Sequence, residues 1–219
     1  MPALDLPFLK KRAEPQKQAT EAGEAKAREC EDCAHLKRKA ALYLKIIERY
    51  KGYIEASEDK SITELRALVV PEDPAVRKIV EEIKSGFRPY IYDRDFPKAA
   101  EKAYLFCRNE LASEFLPVEF WLSPSDIAEL RLSDEIDKAI LLCSILLALE
   151  NASAKVVVET QERLRHAFVT FERDGVFHLL DPVHGANLSG ARDEVIKKAI
   201  RQPERKVVYE FNNSEYNEW

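Results

Sequence analysis

The spacing of hydrophobic positions changes along the chain, from a sparse helical stripe to an almost unbroken apolar run and then to strict alternation. Residues 16–57 contain no proline and are rich in Ala, Glu, Lys and Arg, which predicts a long helix or a helical hairpin. Within it Cys33, Leu36, Ala40, Tyr43, Ile47, Tyr50 and Ile54 recur at alternating intervals of three and four. That is a narrow heptad seam suited to a partner helix. Its occupant is either the protein's own core or a second copy of the chain, joined through residues 33–54. Residues 1–12, with Pro2 and Pro7, read as a tail, residues 13–68 as the helical segment, and "VVPEDP" (69–74) as a boundary opening a domain over 69–219.

Beyond the boundary, Val76, Ile79, Val80 and Ile83 sit at helical spacing and Gly86 fits a cap. Asp95 ahead of Pro97 predicts a helix over about 97–113. Ser123, Pro124 and Asp126 form an N-cap, a first helical position and a first-turn acid. Ser133 is the expected cap of the helix in "LSDEIDKAILLCSILLAL" (132–149). From Ala139 to Leu149 that helix is apolar on nearly every side, as a buried central helix must be. The period then becomes two. Strands are expected at 154–159, 164–173, 176–181 and 206–212, with Asp174-Gly175 as a two-residue hairpin turn. Helices followed by an antiparallel sheet make the fold class α+β.

The hairpin allows a deduction about side chains. If Asp174-Gly175 is the turn, Arg173 pairs with Val176 and, counting outward, Phe168 pairs with Asp181. His166 is two residues beyond Phe168, on the same face and diagonal to Asp181, within reach of its carboxylate. His178 points to the opposite face. A carboxylate that orients an imidazole is what a general base needs. The same pair also occurs as a satisfied histidine within a sheet.

Composition narrows the setting. A chain of 219 residues, 46% hydrophobic and 33% charged, suits one globular domain with an appendage. A net charge of −5 argues against broad electrostatic binding to nucleic acid or anionic membrane. No apolar run reaches the length of a membrane span, and "MPALDLPFLKKRAEPQ" lacks a signal-peptide core, so a soluble, cytoplasmic protein is expected. Four cysteines do not make a disulfide framework. Abundant Lys and Glu with scarce Gln lean towards a thermophilic source. With six glycines and no phosphate loop or dinucleotide fingerprint, no cofactor is expected.

"FWLSPSDIAELRLSDEIDKAILLCSILLAL" followed by "RHAFVTFERDGVFHLLDP" resembles the transglutaminase-like superfamily, which shares its core with papain-like cysteine proteases. The resemblance spans about 70–212. It implies a transglutaminase-like core, with the buried central helix against an antiparallel sheet, and a Cys-His-Asp acyltransferase or hydrolase wherever the triad is complete. His166-Ala167-Phe168 is similar to the family's His-Ala-Trp strand and Leu180-Asp181-Pro182 to its Leu-Asp-Pro element. Setting Asp137-Lys138-Ala139 on the family's Asp-x-Ala places Ser133-Asp134-Glu135 on Gly-Asp-Cys. Glu135 then occupies the nucleophile's position. The expectation is a degenerate, inactive member that serves as a binding or scaffold module for a protein or peptide.

Two rivals stand beside it. In the first, Cys143 reaches His166 and Asp181 as an active thiol, although it lies eight residues inside the helix, about 12 Å from Glu135. Cys107 in "YLFCRNEL" is a further candidate thiol with no local activating feature. In the second, Glu135, His166 and Asp181, with His184 nearby in "DPVHG", hold a divalent metal. "CEDCAH" (30–35) could offer Cys30, Cys33 and His35 to zinc, or a disulfide across a dimer seam. No second cluster accompanies it, and its setting is helical. "HLKRK" (35–39) is flanked by acids and reads as a solvated helix face.

Overall fold

The proline-free N-terminal run forms one unbroken helix, α1 (Gln16–Glu58), of 43 residues, about 65 Å at 1.5 Å per residue. The computed structural model describes residues 16–58, 62–114, 118, 120–161, 164–200 and 207–218, with backbone alone for 16–32, 58, 62, 63, 161, 164 and 165. The tail expected at 1–12 lies outside the described residues. By its contacts the chain divides into two compact units, Met1–Lys51 and Gly52–Trp219. The backbone of residues 30–35 is helical throughout, Cys33 is an exposed free thiol, and the side chain of Cys30 lies outside the described set. Of the heptad seam, Leu36, Tyr43 and Tyr50 are exposed, and Ile47 and Ile54 half-buried. Among the described residues no helix is long and apolar enough to cross a membrane.

The second unit is built from α2 (Ile62–Arg66), α3 (Pro74–Ser85), α4 (Tyr92–Asn109), β1 (Ala112–Ser113), α5 (Pro124–Leu130), β2 (Leu132–Ser133) and α6 (Glu135–Ala148), followed by β3 (Lys155–Gln161), β4 (Leu164–Arg173), β5 (Val176–Asp181), β6 (Ala186–Gly190), α7 (Arg192–Ala199), β7 (Val207–Phe211) and β8 (Tyr216–Glu218). The order β6-β5-β4-β3-β7-β8 forms one sheet, antiparallel at every pairing. The architecture is thus α+β, with a buried helix against an antiparallel sheet and a long helix ahead of it. α6 is that central helix: every residue from Ile136 to Leu146 is buried. It packs with Val156, Val158, Ala167, Val169 and Phe171 on one sheet face, while Val157, Phe168, Phe177 and Leu179 on the other meet Val195 and Ile200 at α7. Successive strand residues thus serve two different cores.

Local signals account for most boundaries. Asp73 accepts from the Ala75 amide ahead of Pro74, and Ser123 and Asp126 form a reciprocal capping box on α5. Two expectations are corrected. The helix expected over 97–113 runs from Tyr92 to Asn109, so Pro97 lies inside it. The Asp93 carbonyl, left without the amide that Pro97 lacks, accepts the Arg173 guanidinium instead, and the Asp95 carboxylate accepts the Ile91 amide at the helix start. The cap of α6 is Asp134, which accepts from the Asp137 amide, and not Ser133, which pairs in parallel with Ser113 across β1 and β2. Buried Lys138 anchors α6 to that ribbon, donating to the Leu111 carbonyl at 2.9 Å and to Ser113 Oγ at 2.6 Å.

Candidate functional site

The Asp174-Gly175 turn has positive φ at both residues, 51° and 75°, the conformation a tight hairpin demands. The β4–β5 register, Arg173 opposite Val176 through Val169 opposite Leu180, is the one counted from the sequence. It carries His166 to Asp181: Nε2 lies 2.8 Å from Oδ2. His178 lies on the other face, stacked on Phe171 at 4.7 Å with the rings 6° from parallel.

Asp181 serves two purposes. Its Oδ1 accepts the backbone amides of Val183 and His184 at 3.0 and 2.8 Å, which folds the turn after β5 back on itself. Gly185 completes that turn at φ +80°, with the Arg108 guanidinium where a side chain would begin. The folded turn brings His184 Nδ1 to 3.1 Å from Asp181 Oδ2, and the two imidazoles meet edge to face at 4.9 Å.

Glu135 approaches this pair from the first turn of α6. Its Oε1 is 3.3 Å from His184 Nδ1 and 3.8 Å from His166 Nε2, and that oxygen is buried and accepts no hydrogen bond. On the far side of His166, Nδ1 lies 3.6 Å from the buried Glu159 carboxylate, because β3 sets Glu159 directly opposite His166. Two imidazoles therefore sit among three carboxylates, partly screened from water. Burial opposes a charge on His166, but its hydrogen bond with Asp181, the nearby Glu159 carboxylate and the charges of Asp181 and Glu135 outweigh it and raise its pKa to about 9. Burial likewise opposes ionisation of Asp181, yet the His166 hydrogen bond and the His184 amide hold its pKa below the usual carboxylate range. Glu135 moves the other way: burial raises its pKa despite the neighbouring histidines.

The structure thus gathers Glu135, His166, Asp181 and His184, and leaves both candidate thiols elsewhere. Cys143 is fully buried in the body of α6, where desolvation drives its pKa far up. Cys107 is fully buried in α4, its pKa raised to about 12 for the same reason. Glu159 is the one member of the cluster that sequence reasoning passed over. Its signal was present: counting outward from Gln161 opposite Leu164 reaches Glu159 opposite His166. A depression lined by Lys155, Phe177, Arg192 and Glu210 contains none of these residues.

No family model matches the chain, and no curated protein sequence matches it. Structures similar to it include Legionella pneumophila LapG, with TM-score 0.47 and 17% identity over 78% of this chain and 86% of that one. An EGTA-treated form gives 0.47 and 16% over 78% and 83%, and a calcium-bound form 0.46 and 18% over 72% and 87%.

Proposed function

We propose that residues 69–219 form a transglutaminase-like domain that has lost its thiol nucleophile and acts as a binding module for a protein or peptide. One observation carries this reading. At the first turn of α6, where the resemblance calls for cysteine, the group beside the His166–Asp181 pair is the Glu135 carboxylate. A thiolate attacking an amide leaves a thioester, which water can then resolve. A carboxylate would have to form an anhydride well above the amide in energy, with no gain to drive it. His166 and Asp181 are accordingly recognition and structural groups here rather than the base and acid of an acyl transfer. The fold part of the reading is supported by the apolar α6 backed by an antiparallel sheet, with His166 on β4 and Asp181 at the end of β5.

Iodoacetamide labelling of the native protein at neutral pH, resolved by cysteine peptide, tests it. Cys33 is expected to label readily, and Cys107 and Cys143 only on unfolding. Rapid labelling of Cys143 that His166→Ala suppresses would instead establish a working thiolate and remove the reading.

A further inference from the structure

Three side chains of the cluster bring ligand atoms together, those of Glu135, His166 and His184, with Asp181 Oδ2 beside both imidazoles. Glu135 Oε1 is 3.3 Å from His184 Nδ1 and 3.8 Å from His166 Nε2, and Asp181 Oδ2 is 2.8 Å from His166 Nε2 and 3.1 Å from His184 Nδ1. Ligands held tetrahedrally at about 2.0–2.1 Å from a zinc ion are separated by about 3.3 Å. Glu135, His166 and His184 are also the one group of His, Cys, Asp or Glu side chains among the described residues whose ligand atoms all fall within 4.8 Å of one another.

Three further features bear on what this group would hold. Glu135 Oε1 is out of reach of water and accepts no hydrogen bond, so a positive charge at the centre of the cluster would supply what the protein does not. His166 carries a buried carboxylate, Glu159, at its far nitrogen, 3.6 Å from Nδ1. A carboxylate there would keep the proton on Nδ1 once an ion displaced the Nε2 proton that Asp181 now accepts, the usual arrangement behind a metal-bound histidine. His184, 42% exposed along its side chain, leaves a route of entry.

The geometry points to a binding site for one divalent transition-metal ion, zinc in the first place, held by Glu135 Oε1, His166 Nε2 and His184 Nδ1, with Asp181 Oδ2 adjoining both imidazoles. Two imidazole nitrogens select against calcium and magnesium, which take oxygen ligands in larger numbers. The backbone bonds from Val183 and His184 to Asp181 Oδ1 hold His184 in place before any ion arrives. This inference goes beyond the binding-module reading and is independent of it. A reactive Cys143 would remove that reading and leave the zinc site standing, while failure to bind zinc would do the reverse.

The test uses the full chain, stripped with EDTA, dialysed and titrated with zinc chloride at neutral pH, with metal content checked by mass spectrometry. One zinc per chain is expected, undisturbed by excess calcium or magnesium. His184→Ala and the isosteric Glu135→Gln should each weaken it by roughly 100-fold or more, and Glu159→Gln by about 10–100-fold. Melting curves in EDTA report whether each variant is folded, and Glu135→Gln keeps the test open if His184→Ala is not. A Cys30→Ser/Cys33→Ser double variant should retain the ion. Absence of bound zinc, zinc indifferent to both ligand substitutions, or zinc lost from the cysteine variant would each overturn the assignment.

Discussion

α6 begins and continues in two different solvents. At Glu135 the helix offers a half-buried carboxylate to two imidazoles, and the side chains around it retain contact with water. Eight residues on, Cys143 is fully buried in a layer of Ile140, Leu141, Leu142 and Leu146. The chemical difference follows from position rather than residue type. Near the first turn, unpaired amides and the helix dipole favour an anion and facing groups can reach it. From Ala139 to Ala148 the helix carries no charged side chain, and a thiol there behaves as a small apolar side chain. A cysteine close in sequence to an apparent base and acid is therefore no evidence for a triad until its place along the helix is known.

The sharpest way to break this comparison is to cut into the body. Leu142 is fully buried, and Leu142→Ala should destabilise the protein by about 2–5 kcal/mol through lost burial and the cavity left behind. Urea denaturation measures it; a loss below about 1 kcal/mol would mean that α6 is not the packed centre. Next in size is the effect of pH on the opposite end. In EDTA, His166 has a folded pKa of about 9 against 6.5 unfolded, so the folded state binds the extra proton between those values. That stabilisation is fully present below pH 6.5 and is lost as pH rises through about 9, on the order of 2–3 kcal/mol in all. The loss should vanish in His166→Gln, and an unchanged profile in that variant would assign the pH dependence to other groups.

A thiol moved from the body to the turn compares the two positions directly. In Glu135→Cys the new thiol would lie at the helix start beside His166, where dipole and imidazolium favour the thiolate. Native-state labelling should modify it roughly ten-fold faster than a free cysteine, while Cys143 in the same molecule stays protected. Equal protection of both would show that the first turn is closed to reagents and that its contrast with the body is false.

The parts legible in the sequence were those governed by local period or local geometry. α6 announced itself because an apolar run of that length has no solvated alternative, and the His166–Asp181 contact followed from counting outward from one tight turn. Glu159 obeyed the same arithmetic, but its register depends on the connection between Gln161 and Leu164, where no glycine-containing pair signals a turn. The start of α4 was displaced because Pro97 normally opens a helix; here Arg173, eighty residues away, satisfies the carbonyl that the proline leaves free. β6 and α7 carried little signal. "ANLSG" alternates Ala186 and Leu188 with Asn187 and Ser189, but over only five residues with no β-branched or aromatic member, and α7 buries one residue, Val195. His184 was named beside Glu135, His166 and Asp181 as a candidate metal ligand, but its contact with Glu135 could not be counted from strand register, since the turn that presents it is closed by Asp181's own side chain.

The smallest expected effect is the most diagnostic of the turn. Glu135 has its pKa raised chiefly by burial, so the folded state holds its proton more tightly than the unfolded state. Its contribution to stability is then present below the unfolded value of 4.5 and is lost as pH rises through the folded one. Because burial works against its charged form, Glu135→Gln in EDTA at neutral pH should leave stability within about 0.5 kcal/mol of the parent or raise it. With zinc present the sign should reverse, because the parent gains RT ln(1 + [Zn]/Kd), about 2.7 kcal/mol at a hundred-fold excess over Kd, and the variant gains far less. Denaturation curves with and without metal separate the two contributions. A parent more stable than Glu135→Gln by over about 1 kcal/mol in EDTA would mean that the carboxylate is held by favourable contacts of its own, and that the turn is as fully satisfied as the apolar body eight residues further on.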